Sequence, residues 1–507
     1  MEQKVRVRFA PSPTGPLHMG GVRTALFNYL FARKHGGEFL LRIEDTDQTR
    51  YVPGAEEYIA ESLTWCGLIP DEGVGFGGKF GPYRQSERKD LYKGYVDQLV
   101  ESKNAYYAFD TPEELDALRS EAEMNQTVFS YDIHTRLKLK NSLTLPEEEV
   151  NRRIANGEAW VIRFKMPEHT DVIEEDLIRG EVKFNTAQLD DKVLYKADGM
   201  PTYHMANVVD DHLMQITHVI RGEEWLSSMP LHILLYRALG WGENRPRFAH
   251  LPLILKPTGK GKLSKRDGDK MGFPVFPLQW TDPVSGEISR GYREDDYFPE
   301  AFINMLALLG WNAGTEQEIF TIQELIDSFS LGRVVKSGAR FDPEKAKWFN
   351  RHYLQQKNDA ELAKLFKKQL EEKQLFTDDD KLTRIVGLIK DRCTFASELW
   401  EHGFYFFTAP DSYDEKTISK KWKEDTSEKL QAIAGFFKGL SSWDAESIKE
   451  AFSEFMNSRE WNFGMVMVPI RLALVGSSQG IDLFVILELI GKEETVRRME
   501  RAVAEIH

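Results

Sequence analysis

Residues Arg8 to Gly21 read RFAPSPTGPLHMGG, and residues Gly261 to Gly268 read GKLSKRDG. The first stretch opens inside a short strand, Val5 to Phe9, and breaks where prolines and Gly15 interrupt it. It then reaches His18 and the pair Gly20-Gly21. The residues that follow place Val22, Leu26, Tyr29, Leu30 and Arg33 at helical spacing and stop at Gly36-Gly37, which predicts a helix over 22–35. A strand, a glycine turn and a helix leave backbone N–H groups at the helix start, where an anion is favoured. The second stretch is a basic loop between glycines, whose Lys262 and Lys265 can close over the same anion. Each motif alone is weak, but the ordered pair points to a phosphate-bearing ligand.

Composition agrees. A chain of 507 residues implies roughly two to four domains, each able to bury a core. An apolar fraction of 41% and a charged fraction of 29% are those of a globular protein. No apolar run is long enough to span a bilayer, and the start MEQKVRVRF has no apolar signal-peptide core, so the expected location is the cytoplasm. Cys66 and Cys393 are the only cysteines, too few for a disulfide framework or a four-cysteine zinc site. The net charge of −14 argues against a protein that coats nucleic acid indiscriminately, though not against a local basic face. Lys256 to Arg266, Arg333 to Arg340 and Lys345 to Arg351 are candidates for such a face, and each reads equally well as a solvated surface.

Strand 5–9, helix 22–35, strand 38–43 and helices 54–66 and 88–102 alternate as in a parallel sheet with right-handed crossovers. From about 105 to 190 the pattern changes to short mixed segments such as Trp160 to Phe164, as in an inserted α+β unit. Strand and turn signals return at Lys192 to Tyr203, and HVIRGEEWL (His218 to Leu226) leads into another helix. Beyond about 320 the chain reads as helical to Ile506. Residues 272–298, rich in proline, glycine and aromatics, read as a surface elaboration.

Other constellations narrow the ligand. LLRIEDTDQTR (Leu40 to Arg50) ends a strand on carboxylates. At the carboxyl end of a strand in an open α/β sheet, Glu44 is placed to receive an ammonium, whereas Asp45 and Asp47 read as turn and capping residues. GPYRQSER (Gly81 to Arg88) reads as a turn with Ser86 as a helix N-cap. In DGMPTYHMANVVDDH (Asp198 to His212) the polar run beside Val208-Val209 reads as a pocket wall. A metal set of His204, Asp210, Asp211 and His212 lacks a known ligand spacing. Arg8 and Arg221 are the arginines best placed to grip a carboxylate with two parallel hydrogen bonds.

The two phosphate segments resemble the HIGH and KMSKS motifs of class I aminoacyl-tRNA synthetases. Over nearly its whole length the chain is similar to bacterial glutamyl-tRNA synthetases, through PSPTGPLHMGG, LLRIEDTD, GPYRQSER, PTYHMANVVDDH, VIRGEEWL, LSKR, FDPEKAKWFN and PIRLALVG. Glutaminyl-tRNA synthetases share the front half, but their anticodon part is β-barrel where this tail reads helical. Truncated relatives that glutamylate a modified tRNA base lack the tail. The first motif here is HMGG rather than HIGH, and residues 95–190 contain no cysteine, so no structural zinc is expected there.

The resemblance implies a Rossmann-type catalytic domain in two halves, 1–104 and 191–245. An acceptor-stem unit at 105–190 would be inserted between them, followed by a connecting domain with the KLSKR loop at 246–325 and a helical anticodon-binding region at 326–507. It implies a glutamate–tRNA ligase that uses ATP and Mg²⁺, forms glutamyl-adenylate and passes the glutamyl group to the terminal adenosine of tRNA(Glu). Members of the family need bound tRNA to activate glutamate well. His18, Lys262 and Lys265 would act on the phosphates, with Gly20, Gly21, Leu263 and Ser264 completing the ATP site. Arg8, Ala10, Ser12, Glu44, Tyr203, Asn207, Arg221 and Trp225 would line the glutamate site. Arg392 and Arg471 would contact the anticodon, Arg392 restricting charging to tRNA(Glu). The chain is expected to be a monomer. Two rival readings are a nucleotidyltransferase acting without RNA, which leaves 320–507 without a purpose, and a silent RNA-binding relative, which would have lost His18 or Lys265.

Overall fold

The computed structural model describes residues 4–506. The chain falls into two compact units, one running to Ala346 and the other from Lys347 onward.

The first unit opens with strand β1 (Arg6–Phe9), helix α1 (Met19–Lys34), strand β2 (Glu38–Leu41), helix α2 (Ala55–Trp65), the short strand β3 (Glu72–Gly73) and helix α3 (Lys89–Glu101). β1, β2 and β3 lie side by side and parallel. β1 and most of β2 are buried, as expected of parallel strands covered on both faces. The chain then forms β4 (Ala105–Ala108), α4 (Pro112–Met124), α5 (Glu147–Ala155), β5 (Val161–Phe164), β6 (Asp171–Asp176), β7 (Gly180–Asn185) and β8 (Val193–Lys196). The mixed segment 105–190 therefore feeds two sheets. β4, β5 and β8 make a small antiparallel sheet. The β6–β7 hairpin instead extends the sheet that holds β9 (His218–Gly222) and β10 (Arg247–Leu251), in the order β7-β6-β10-β9.

Between these strands come α6 (Tyr203–Leu213) and α7 (Met229–Ala238), and α8 (Lys265–Met271) follows β10. The backbone N–H of Thr217 donates to the Arg6 carbonyl at 2.9 Å, joining the β9 edge to β1. The carboxyl ends of β1 and β9 therefore open beside each other, the place where open α/β sheets bind ligands.

Three local readings are corrected. The first helix begins at Met19 rather than residue 22, because His18 supplies the cap. Ser86 is not an N-cap: its hydroxyl and backbone N–H both donate to Asp45, at 2.5 and 2.9 Å, and the following helix starts without a side-chain cap. Residues 272–298 are not only a surface elaboration. Val275, Phe276, Leu278 and Trp280 are buried, the Val275 carbonyl accepts from Met19 N–H at 2.8 Å, and the Phe276 ring meets His18 edge-on at 6.1 Å. The hairpin formed by Trp280–Thr281 and Ile288–Ser289 is exposed at its tip, where Val284 stands in solvent.

The second unit is all helix among its described residues, from Asp359–Glu372 to Lys492–Glu505. Asn358, Asp378, Asp444 and Asn462 each accept a first-turn backbone N–H, so these helix starts are legible from the sequence. Among the described residues no helix is long and apolar enough to cross a membrane.

Candidate active site

One cavity of about 490 Å³ opens at the carboxyl ends of β1 and β9. Thirteen of the residues predicted for the catalytic site line it: Arg8, Ala10, Ser12, His18, Gly20, Gly21, Glu44, Tyr203, Asn207, Arg221, Trp225, Lys262 and Leu263. Pro252, Leu253 and Ile254 add an apolar wall. Ser264 is not part of the lining. Its hydroxyl donates to Asp267 at 2.6 Å in the capping box that starts α8.

The mouth of α1 differs from expectation. Met19 N–H goes to Val275, Gly20 N–H to His18 Nδ1 at 3.1 Å and Gly21 N–H to the His18 carbonyl at 2.8 Å. The first-turn donors are thus occupied, and an anion there has to be met by side chains. His18 is suited to this. Its Nδ1 accepts a hydrogen bond, which puts the ring proton on Nε2, and Nε2 is buried with no partner among the described residues. Burial, and then the nearby charge of Lys262, lower its pKa to about 4, so it is a neutral donor at pH 7. A Cβ at Gly21 would lie 2.5 Å from Leu17 Cδ1, so a side chain there would have to displace Leu17.

The floor is a buried chain of charges. Arg8 gives Nε and Nη2 to Asp211 at 3.0 and 3.1 Å. Arg42 gives Nη1 to Asp211 at 2.7 Å and Nη2 to Glu44 at 2.8 Å. Asn207 Nδ2 donates to Glu44 Oε1 at 2.9 Å. Arg8 thus gives its Nε and Nη2 to Asp211 while lining the cavity. The pairing explains why Arg8 is held above its ordinary pKa and Asp211 below, although burial, the largest influence on each, opposes both shifts. Tyr203, Asn207 and Asp211 are spaced by four along α6 and so share one face. Arg42 and Asp211 were not among the expected site residues. The alternation in LLRIE, which points Arg42 and Glu44 the same way, was the available signal.

Arg221 is different. Its Nε donates to His250 Nε2 at 3.0 Å, Nη1 to the Tyr203 hydroxyl at 3.0 Å and Nη2 to the Trp225 carbonyl at 3.2 Å, and Nη1 lies 3.4 Å from His232 Nδ1. All are neutral acceptors, and no carboxylate pairs with it among the described residues. The Tyr203 and Trp225 rings, both from residues hydrogen-bonded to Arg221, pack on each other with centroids 4.4 Å apart. An arginine that is 5% exposed, in a cavity wall and without a counter-ion, favours an anionic ligand.

The two lysines stand at the rim. Lys262 pairs with Glu224 at 2.9 Å and Lys265 with Glu287 at 2.7 Å. Lys265 lines a neighbouring cavity of about 430 Å³ on the other side of His18, together with Thr14, Phe276 and Trp280. The pairs are partly exposed and are worth little against a phosphate.

Asp210, Asp211 and His212, whose spacing fits no known metal set, are engaged with protein partners. Asp210 takes Arg88, Gln85 and Tyr92, Asp211 takes the two arginines, and His212 stacks on Trp241 at 3.8 Å. In the second unit, Arg392 lines a cavity of about 570 Å³ with Trp400, Tyr405 and Gly480 and donates to the Gly480 carbonyl at 2.6 Å. Arg471 is not in that lining. It donates to the Ile481 carbonyl at 2.6 Å and so braces the same loop.

Comparison with known proteins agrees with this layout. Residues 4–348 match the family described as tRNA synthetases class I (E and Q), catalytic domain, and residues 361–503 match an anticodon binding domain. The sequence is 58% identical over 503 residues to the glutamate–tRNA ligase of Christiangramia forsetii, covering 99% of each. It is 59% identical over 504 residues to that of Flavobacterium johnsoniae, covering 99% of this chain and 100% of the relative. The fold superposes on the crystal structure of a glutamate tRNA ligase from Elizabethkingia meningosepticum in complex with its amino acid. That match has a TM-score of 0.97, 54% identity and full coverage of both chains.

Proposed function

Since this chain belongs to the class I tRNA synthetases for glutamate and glutamine, and among them to the glutamate–tRNA ligases, we propose that the cavity between His18 and Arg221 is where it joins glutamate to ATP. The protein is an ATP-dependent ligase that couples glutamate to tRNA in translation. The observation that carries the site assignment is Arg221, a buried guanidinium with only neutral partners, which favours a ligand carboxylate.

In this reading the glutamate side-chain carboxylate pairs with Arg221, and the α-ammonium lies toward Glu44, held by Arg42 and Asn207. An oxygen of the α-carboxylate attacks the α-phosphorus of ATP. The bond to the bridging oxygen breaks, and pyrophosphate leaves with the electron pair. No side-chain nucleophile is required, so the chain's contribution is positioning and charge stabilisation. His18 Nε2–H donates to a phosphate oxygen as charge builds. Lys262 and Lys265 exchange Glu224 and Glu287 for the departing pyrophosphate. Adenosine lies against Gly20, Gly21, Leu263 and the wall at Pro252 to Ile254. Magnesium bound with ATP would supply positive charge to the phosphoryl oxygens. A ribose hydroxyl of the tRNA's terminal adenosine then attacks the glutamyl carbonyl and AMP leaves.

The helical unit from Lys347 reads the anticodon in this account, with Arg392 facing the anticodon loop and Arg471 bracing the protein segment at Gly480 and Ile481 beside it. We place the enzyme in the cytoplasm as a monomer. Aminoacylation of purified tRNA(Glu) and, separately, tRNA(Gln) tests the proposal: glutamate should be transferred to the first, and failure to charge it would refute the reading.

A further inference from the structure

We infer that Asp176 and His250 form a positioning dyad that aims Arg221 and leaves its charge available to the substrate. The inference rests on the reading of Arg221 as the carboxylate-binding residue.

The three residues sit on adjacent strands. β10 pairs with β9 so that His250 lies opposite Arg221, and with β6 so that Phe248 lies opposite Asp176. Asp176 is 1% exposed and His250 is fully buried. His250 Nε2 accepts from Arg221 Nε at 3.0 Å, and Nδ1 lies 2.7 Å from Asp176 Oδ2. A guanidinium N–H can only donate, so Nε2 carries no proton and the ring hydrogen is on Nδ1, given to Asp176. Asp176 is fixed in turn: its Oδ1 accepts the backbone N–H groups of Ile178 and Arg179 at 3.0 and 2.8 Å.

The arrangement resolves a conflict. A buried arginine needs acceptors, and a carboxylate is the strongest, but a carboxylate in contact would compete with the substrate's. Arg8 illustrates that outcome beside it, spent on Asp211. An interposed imidazole accepts from Nε and fixes the plane of the guanidinium while keeping the protein's own carboxylate one ring away. The dyad is supplied by β6, in the segment that interrupts the Rossmann pattern, and by a histidine two residues before Pro252 of the adenosine wall. Neither lies in a phosphate motif.

Steady-state aminoacylation by the full chain with tRNA(Glu) tests the dyad. His250→Leu removes the acceptor, whereas His250→Gln keeps an acceptor for Arg221 and a donor for Asp176. His250→Leu should raise the glutamate KM by roughly ten- to a hundredfold, the scale on which outer partners of an active group act, with kcat at saturation and the ATP KM changing much less. His250→Gln should recover most of the loss. An unchanged glutamate KM in folded His250→Leu, or an equal rise in the ATP KM, would overturn the inference. If His250→Leu fails to fold, Asp176→Asn carries the test: an amide can donate to Nδ1 and drive the proton to Nε2, against Arg221. Arg221→Ala is the control. If Arg221→Ala raises the glutamate KM and the dyad variants do not, the dyad fails alone; if Arg221→Ala does not raise it, the site reading itself fails.

Discussion

Gly20 donates its backbone N–H to His18 Nδ1 at 3.1 Å, and this fixes which nitrogen of His18 can act on a ligand. Nε2 carries the proton and is buried without a partner among the described residues, on a ring that lines the cavity. With its pKa lowered to about 4 by burial and Lys262, the ring stays neutral at physiological pH and donates one hydrogen bond without titrating.

His18→Ala and Lys265→Ala should therefore slow adenylate formation while leaving glutamate binding close to wild type; His18→Ala also loses the α1 cap, at about 0.5–2 kcal/mol of stability, whereas Lys265→Ala should keep its melting temperature. Loss of one transition-state donor costs about 2.7–4 kcal/mol, or roughly a hundred- to a thousandfold in rate. Single-turnover measurements would check this, and a folded variant within a few-fold of wild type would remove His18 or Lys265 from the chemistry.

Asp211 holds two buried arginines, Arg8 and Arg42. Asp211→Asn leaves their charges underpaired and should destabilise the first unit by about 3–5 kcal/mol. Denaturant unfolding reads the change, and a loss below about 1 kcal/mol would mean that the network is dispensable.

Acid should weaken the fold before it titrates the carboxylates. His18, His204 and His218 have pKa values lowered from 6.5 to about 4, in each case chiefly by burial. Between those values the unfolded chain binds protons that the folded chain excludes. Stability is therefore full above about pH 6.5 and is lost as pH falls toward 4, by up to roughly 1.4 kcal/mol per pH unit for each group. Melting temperatures from pH 7.5 to 4.5 should fall accordingly, and His218→Gln should flatten the slope. A profile level down to pH 5 would contradict this.

Arg392 has a backbone carbonyl as partner rather than a carboxylate, so its charge remains available to a base edge in an unstacked loop. Arg392→Gln should admit tRNA(Gln) while adenylate chemistry on tRNA(Glu) persists. Charging assays with both tRNAs decide it, and equal charging of both by wild type would exclude Arg392 as the selective residue.

The local signals were legible where chemistry and spacing coincide. The turn before α1, the lysine loop and the four-residue spacing of Tyr203 and Asn207 gave most of the cavity lining, and the helical tail followed from its periodicity and caps. What escaped depended on contacts between elements distant in sequence. No spacing brings Asp176 to His250, because β-sheet neighbours are set by topology, or Arg42 to Asp211, because the packing of α6 beside β2 is set by the fold. The expectation of an anion at free helix-start N–H groups failed for a similar reason: Val275 arrives from a segment more than two hundred residues away and occupies one of them. Arg8 lines the cavity, and the carboxylate that pairs with its Nε and Nη2 comes from a helix elsewhere in the chain.

The central claim is that Arg221 is the cation awaiting the substrate's carboxylate, and pyrophosphate exchange with glutamate and with glutamine in the presence of tRNA(Glu) tests it most directly. A neutral amide facing a buried guanidinium costs on the order of 2–5 kcal/mol, so wild type should exchange with glutamate and scarcely with glutamine. Arg221→Ala should raise the glutamate KM steeply and erase most of that preference. Comparable activation of glutamine by wild type, or unchanged discrimination in Arg221→Ala, would contradict the account.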